Sequence, residues 1–188
     1  ANLVPRLGTH YSAMADAAEA HKSKTHREPA QLTQAECTEH AIGEKECGNA
    51  AFKAQDWNTA VGRYQEGLRY ALYANGHHGE PLDEDTKQAA VALFSNCAAA
   101  HLKQGSPQFA VEVCTRALCL DMLNVKVYFR RAQAQLALGN HDHAIEDALR
   151  ILDLEPENKE AEQLRLRATA EAKHSKDKDK AFCARMFG

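Results

Sequence analysis

The sequence predicts an all-α protein built from stacked helix pairs, and three observations support this fold class. From Ala35 onward the chain is rich in Ala, Leu, Glu, Lys, Gln and Arg, which have the highest helix propensities, and no strand pattern competes. Turn signals interrupt this composition at intervals that divide it into seven helices. Part of the pattern recurs after 34 residues, as expected for helix pairs that bury their apolar faces only by stacking.

Residues 1–34 are predicted to form a flexible N-terminal segment, because they lack steady apolar periodicity. A short helix is expected near residues 13–21. Leu3-Val4-Pro5-Arg6 resembles a protease cleavage site of the kind used in expression tags, and Met14 is a candidate native start. Residues 1–13 are therefore interpreted as vector-derived and carry no functional argument.

The first helix pair is expected at about residues 41–75. Gly48 supplies a small residue where two helices must approach closely, and Tyr64 supplies an aromatic ring between them. The step from Ala60 to Ala110 is 50 residues, which is 16 more than the repeat length. We therefore expect lengthened helices in this pair and a loop through residues 75–79.

The second and third pairs, at about residues 86–122 and 123–156, follow from the repeat itself. Aligning Ala110 with Ala144 gives the spacing of 34 residues. Predicted helix ends lie at residues 55–56, 75–80, 104–107, 121–124, 139–140 and 155–156.

Residues 157–188 are predicted to form a long C-terminal capping and extension helix. Its first half should cover the last pair, as the ends of helical stacks require. Residues 173–180 alternate in charge and are interpreted as a solvated extension. The apolar residues that follow, including Phe182 and Met186, are candidates for folding back or for contacting a partner.

Composition excludes several classes of function. At 188 residues, the chain has room for one domain of ordinary size but not for a second, catalytic one. It contains no run of roughly 18 apolar residues that could span a membrane. The formal net charge of −3 provides no broad basic footprint for nucleic acid. We therefore expect a soluble protein, with a monomer favoured, that binds neither membranes nor nucleic acids.

The cysteines and histidines predict neither disulfides nor a metal site. No CxxC pair and no secretory signal peptide are present, which indicates a reducing, cytoplasmic location. His77-His78 and His141-Asp142-His143 fall in polar turns without the three or four ligands of a structural metal site. We expect no cofactor. The six cysteines are Cys37, Cys47, Cys97, Cys114, Cys119 and Cys183.

Five polar residues are predicted to share a concave groove, which the first helix of each pair lines in such a stack. Lys45 and Asn49 are four residues apart and project from one helix face, and Lys126 and Arg130 have the same spacing. Asn96 lies on the intervening helix and can both donate and accept hydrogen bonds. Three cations and two amides in one groove are complementary to an anionic peptide end.

This arrangement resembles the carboxylate-clamp tetratricopeptide repeat (TPR) domains of cochaperones, which bind the Glu-Glu-Val-Asp tails of Hsp90 and Hsp70. The clamp pattern of that family falls on Lys45, Asn49, Asn96, Lys126 and Arg130. The resemblance implies a right-handed superhelix and an Hsp90-binding cochaperone, with Hsp70 as the second choice of partner.

The same resemblance assigns two further peptide-binding residues. It places Phe52 in a pocket for an apolar tail residue and makes Lys103 a candidate for another polar contact. The lengthened first pair and the ending from Lys178 to Phe187 are similar to the C-terminal TPR regions of large immunophilins, of both the cyclophilin and the FK506-binding types.

Two alternatives stay open beside this function. A TPR scaffold could bind an internal peptide of an unrelated partner, and the chain could be the targeting half of a peptidyl-prolyl isomerase. No catalytic residue is predicted in the chain itself. Cys97 and His101 are four residues apart, but no orienting group or oxyanion loop accompanies them, so packing roles are favoured.

Overall fold

The computed structural model describes residues 28–77 and 83–187, and this part of the chain forms seven helices and no strand. The predicted all-α fold is confirmed. The predicted short helix near residues 13–21 and part of the predicted loop at 75–79 lie outside the described residues. The helices are α1 Gln34–Lys53, α2 Trp57–His77, α3 Glu84–Lys103, α4 Pro107–Leu120, α5 Val125–Ala137, α6 His141–Leu154 and α7 Lys159–Phe187.

The chain is ordered before residue 34, the boundary that was predicted for the flexible segment. Pro29–Gln31 forms a 3-10 turn, and Pro29 and Leu32 are buried. Thr33 then starts α1 with a capping box, in which its hydroxyl accepts from the Glu36 amide and the Glu36 carboxylate accepts from the Thr33 amide. Pro29 and Leu32 are isolated apolar residues and form no periodic pattern in the sequence. Only their burial in the folded protein shows that this part of the chain is ordered.

The first helix pair is longer than the others, as predicted, but the extra length is distributed differently. α1 and α2 contain 20 and 21 residues, and α3 in the second pair also contains 20, whereas α4, α5 and α6 contain 13 or 14. The predicted loop through residues 75–79 starts too early, because α2 continues to His77. Asn and Gly are typical of turns, but here Asn75 and Gly76 continue a long helix. Tertiary packing of a helix can override the local propensity of single residues.

Each helix packs against the next one along the chain, and α1, α3 and α5 also contact one another in sequence. Close approach depends on small residues. A Cβ atom on Gly67 would lie 2.9 Å from the Leu93 side chain and 3.1 Å from the Ala41 carbonyl oxygen. The alanines at the centres of these contacts, such as Ala98 and Ala132, are fully buried. The first helices of the three pairs are therefore neighbours and form one side of the stack.

Helix α7 packs along α6 and touches α5 through its first half. Ala161, Leu164, Ala168 and Ala172 are buried there, whereas the side chains of residues 173–186 are exposed. Within the described ranges, no helix is long and apolar enough to cross a membrane, and no group of three or more His, Cys, Asp or Glu residues is arranged to bind a metal ion.

Candidate peptide-binding site

A groove of about 600 Å³ runs between the first helices of the three pairs. Four of the seven predicted site residues line it: Lys45 and Asn49 on α1, Asn96 on α3, and Lys126 on α5. The remaining lining residues are Glu84, Lys87, Gln88, Val91, Ala92, Ser95, Asp121 and Asn124.

Two asparagine amides form the floor of this groove. The Asn49 Oδ1 atom accepts hydrogen bonds from the Tyr64 hydroxyl at 2.8 Å and from Asn96 Nδ2 at 3.0 Å. Tyr64 is 1% exposed, so its hydroxyl holds the Asn49 amide from inside the core. Among the described residues, no group accepts a hydrogen bond from Asn49 Nδ2, which leaves that donor for a ligand.

Arg130 joins this network from α5. Its Nη1 atom donates to Ser95 Oγ at 2.5 Å and to Asn96 Oδ1 at 3.4 Å. Burial lowers the pKa of the guanidinium, which means that its positive charge has lost part of its hydration. An anion in the groove would replace that lost solvation, so the site favours a negatively charged ligand.

The two lysines flank the amides from opposite sides. Lys45 is half-buried on α1 and Lys126 is exposed on α5, and neither forms an ion pair with any described residue. The nearby charge of Arg130, followed by burial, lowers the pKa of Lys126. Two acidic side chains also line the groove: Glu84 pairs with Lys87 at 3.4 Å, and Asp121 accepts from the Leu123 amide at 3.0 Å. Lys45 and Lys126 are therefore groove cations that have no ion-pair partner among the described residues.

Phe52 and Lys103 lie further along α1 and α3. The Phe52 ring is half-buried and makes an edge contact with Trp57, with ring centroids 4.8 Å apart. Lys103 is exposed and lines a separate depression that also includes Trp57. Lys103 follows Asn96 by two helical turns, which is about 10 Å along the helix axis. The structure therefore does not bring Lys103 into the groove, and contacts of both residues with a peptide remain predictions.

Comparisons with known proteins identify the fold family. No protein-family model matches the chain. The TPR domain of OM64 from Arabidopsis is 33% identical, with a TM-score of 0.59, over 71% of this chain and 98% of the OM64 domain. The chain belongs to the TPR-domain family. The first TPR domain of Spaghetti (RPAP3), solved with the Hsp90 peptide SRMEEVD, is 27% identical to this TPR domain, with a TM-score of 0.59, over 71% of the chain and 93% of that domain.

Immunophilins of the FK506-binding type are similar to this TPR domain in sequence, which confirms the predicted resemblance for that type. FK506-binding protein 59 from Drosophila melanogaster is 34% identical over 143 residues, covering 76% of the chain and 31% of that protein. The mouse peptidyl-prolyl cis-trans isomerase FKBP4 is 30% identical over 161 residues, covering 86% of the chain and 35% of the isomerase. The TPR domain thus spans about a third of the length of the curated relatives it matches.

Two adjacent arginines of the TPR domain have different surroundings, which the sequence does not reveal. Arg131 forms a two-pronged ion pair with Asp147 on α6, through Nε at 2.9 Å and Nη2 at 2.6 Å. Only 6% of the Asp147 side chain is exposed. Hydrogen bonding to Asp147 raises the pKa of Arg131, whereas burial lowers that of Arg130. Arg131 is therefore a structural residue, whereas Arg130 does not line the groove itself but is bonded to two residues that do, Ser95 and Asn96.

Cys97 and His101 are both buried in the TPR core. Burial raises the pKa of the Cys97 thiol to about 12, which opposes thiolate formation. Burial also lowers the pKa of His101, whose Nδ1 atom lies 3.1 Å from Gln104 Oε1. This environment suits packing and does not activate a nucleophile.

Sequence reasoning missed two residues that support the groove, Ser95 and Tyr64. Ser95 accepts a hydrogen bond from Arg130, and Tyr64 donates one to Asn49. Both contacts join different helices, so only the tertiary structure shows them.

Proposed function

We propose that this TPR domain is a cytoplasmic cochaperone module that binds the free C-terminal tail of Hsp90, and less favourably that of Hsp70, through a carboxylate clamp. The clamp comprises Lys45, Asn49, Asn96, Lys126 and Arg130. Similarity to a TPR domain solved with an Hsp90 peptide ending in Glu-Glu-Val-Asp supports this choice of ligand. A TPR domain of RPAP3 solved with the Hsp70 peptide SGPTIEEVD is 28% identical, which supports Hsp70 as the second partner.

One observation carries the proposal: two lysines that form no ion pair with a described residue flank a fixed pair of amides. The terminal Asp of such a tail presents two carboxylates close together, one from the side chain and one from the chain end. Lys45 on α1 and Lys126 on α5 approach the amides from opposite sides, so each can neutralise one carboxylate. Asn49 and Asn96 supply preorganised hydrogen-bond donors, and charge-assisted bonds of this kind are the strong ones.

The module contributes binding rather than catalysis in this proposal. Its curated relatives include peptidyl-prolyl isomerases, of which the chain matches about a third. The TPR domain would thus deliver an attached activity, or a bound partner, to the chaperone. A prolyl-isomerase assay of the chain alone is expected to show no activity.

Calorimetry with the heptapeptide Ser-Arg-Met-Glu-Glu-Val-Asp tests the clamp. Lys45→Ala and Arg130→Ala each remove a charged partner and should weaken affinity about tenfold to a hundredfold. Lys173→Ala is the matched control, because it removes one positive charge from the exposed part of α7 and should leave affinity unchanged. Unchanged affinity in both groove variants would rule out the clamp.

A C-terminally amidated heptapeptide separates the clamp from a scaffold function. Clamp binding requires the free terminal carboxylate, so amidation should abolish it, and added salt should weaken binding of the free peptide. A TPR scaffold that recognises an internal segment would bind both peptides equally. Equal binding would therefore favour the scaffold and contradict the clamp.

A further inference from the structure

Arg130 lies between the groove that holds the clamp and a second groove, which has a volume of about 530 Å³ and is formed by α5 and the start of α7. On one side, its Nη1 atom donates to Ser95 Oγ and Asn96 Oδ1, whose residues line the clamp groove. On the other side, Arg130 itself lines the second groove. The residues that line the second groove are Val125, Lys126, Phe129, Arg130, Gln133, Glu155, Asn158 and Glu160.

Neutral acceptors alone hold the guanidinium of Arg130. Its hydrogen bonds go to Ser95 Oγ at 2.5 Å and to Asn96 Oδ1 at 3.4 Å, and it forms no ion pair with a described residue. Burial lowers the pKa of this guanidinium, which means that its charge is partly desolvated. Such a charge gains most from a charged partner, because hydrogen bonds between ionised groups are roughly twice as strong as neutral ones. Arg130 is therefore available to an anion from either groove.

The second groove contains such an anion within the protein itself. Glu155 and Glu160 line it from the turn before α7 and from the first turn of that helix. Glu155 accepts a hydrogen bond from Asn158 Nδ2 at 2.7 Å, whereas Glu160 forms no ion pair with a described residue. Pairing with Glu160 would neutralise Arg130 and withdraw it from the clamp groove. The adjacent Arg131 shows the result of such pairing, since its own ion pair makes it a structural residue.

We propose that Ser95 is a positioning residue of the clamp, which keeps Arg130 at the clamp groove in competition with Glu160 in the second groove. The positioning role presupposes the clamp function proposed above. Ser95 is 4% exposed and belongs to α3, so the helix fixes its hydroxyl and water hardly reaches it. A short hydrogen bond to this fixed acceptor holds the guanidinium on the side where the carboxylates of a tail bind. The tail then meets an arginine that the protein orients but does not neutralise.

Ser95→Ala removes the hydroxyl without adding bulk. Calorimetric affinity for Ser-Arg-Met-Glu-Glu-Val-Asp should fall by about threefold to tenfold, the range for the loss of one hydrogen bond. In an Arg130→Ala background the same change should have little further effect, because Ser95 acts through that guanidinium. Glu160→Gln should restore part of the affinity that Ser95→Ala loses, since the competing charge is gone. Glu157→Gln is the matched control, because that exposed carboxylate lines neither groove.

The Nε–H resonance of Arg130 reports the position of the guanidinium without any peptide. The resonance can be assigned by nuclear magnetic resonance from its loss in Arg130→Lys. Ser95→Ala should shift it, and adding Glu160→Gln should reverse part of that shift, whereas adding Glu157→Gln should not. Circular dichroism checks that each variant keeps its helices.

Equal losses of affinity for Ser95→Ala in both arginine backgrounds, or no loss in either, would overturn the positioning role. Changes in affinity and resonance that Glu160→Gln leaves unreversed would contradict the competition and therefore the proposal. Failure of the wild type to bind the heptapeptide would overturn the clamp function itself. The Arg130 resonance would then still decide whether Ser95 and Glu160 compete for the guanidinium.

Discussion

Gly48→Ala is expected to destabilise the domain through the tyrosine that supports the clamp. A Cβ atom on Gly48 would collide with Cε1 of Tyr64 and lie 2.6 Å from Cδ1 and 3.0 Å from Cζ. Tyr64 is 1% exposed and its hydroxyl is bonded to Asn49 Oδ1, so the ring cannot turn out into solvent to relieve the collision. Any shift of the ring must also stretch that hydrogen bond.

The expected magnitude combines three effects. Overpacking of a core costs about 1 to 3 kcal/mol. Weakening the Tyr64–Asn49 hydrogen bond costs about 1 kcal/mol more. Alanine is the better helix former by about 1 kcal/mol, which offsets part of this loss. The net decrease in the free energy of unfolding should therefore be about 1 to 3 kcal/mol.

Gly62→Ala is the matched control on α2. No heavy atom lies within 4 Å of a Cβ built there, and Gly62 is exposed, so only the propensity gain of about 0.5 to 1 kcal/mol should remain. Urea denaturation followed by circular dichroism measures both variants. Gly48→Ala should also weaken binding of the tail peptide, whereas Gly62→Ala should not. Equal stability of the two variants would refute the reasoning about Tyr64.

Two further predictions concern buried groups away from the groove. Asp147→Asn removes the negative charge that pairs with Arg131 and should lower the free energy of unfolding, measured in urea, by about 3 kcal/mol. Arg150→Ala is the control, because it breaks only the exposed ion pair with Asp153 and should cost under about 1 kcal/mol. Burial lowers the pKa of His101 below its ordinary value of 6.5 in the folded protein. At a pH between the lowered pKa and 6.5, the unfolded chain binds more protons than the folded one, so the free energy of unfolding falls as the pH decreases across this range. His101→Gln should reduce the difference in melting temperature between about pH 7.5 and 5.5, and an undiminished difference would contradict this origin.

Much of the fold could be predicted because its determinants are local or periodic. Helix propensity, the turn residues and the spacing of 34 between Ala110 and Ala144 together indicated seven helices in three pairs with a cap. The errors occurred where tertiary contacts decide. Pro29 and Leu32 are ordered by burial in the core, and α2 continues through Asn75 and Gly76.

The candidate site was partly predictable for a similar reason. Lys45 and Asn49 share a face by helical spacing alone, and the repeat relates their helix to those of Asn96 and Lys126. The structure places these four around one groove. It does not place Lys103 there, because two additional turns of α3 carry that residue into another depression.

The amino-acid sequence alone determined where the seven helices lie, apart from the end of α2, and which charges occupy the first helix of each pair, since these follow from local propensity and from the repeat. Tertiary structure decided which of those charges lack partners. Arg130 and Arg131 are adjacent in the chain, yet Asp147 neutralises only one of them, while Ser95 and Asn96 hold the other beside the groove. Pairing depends on which helices meet, and that information lies in contacts between residues far apart in the chain.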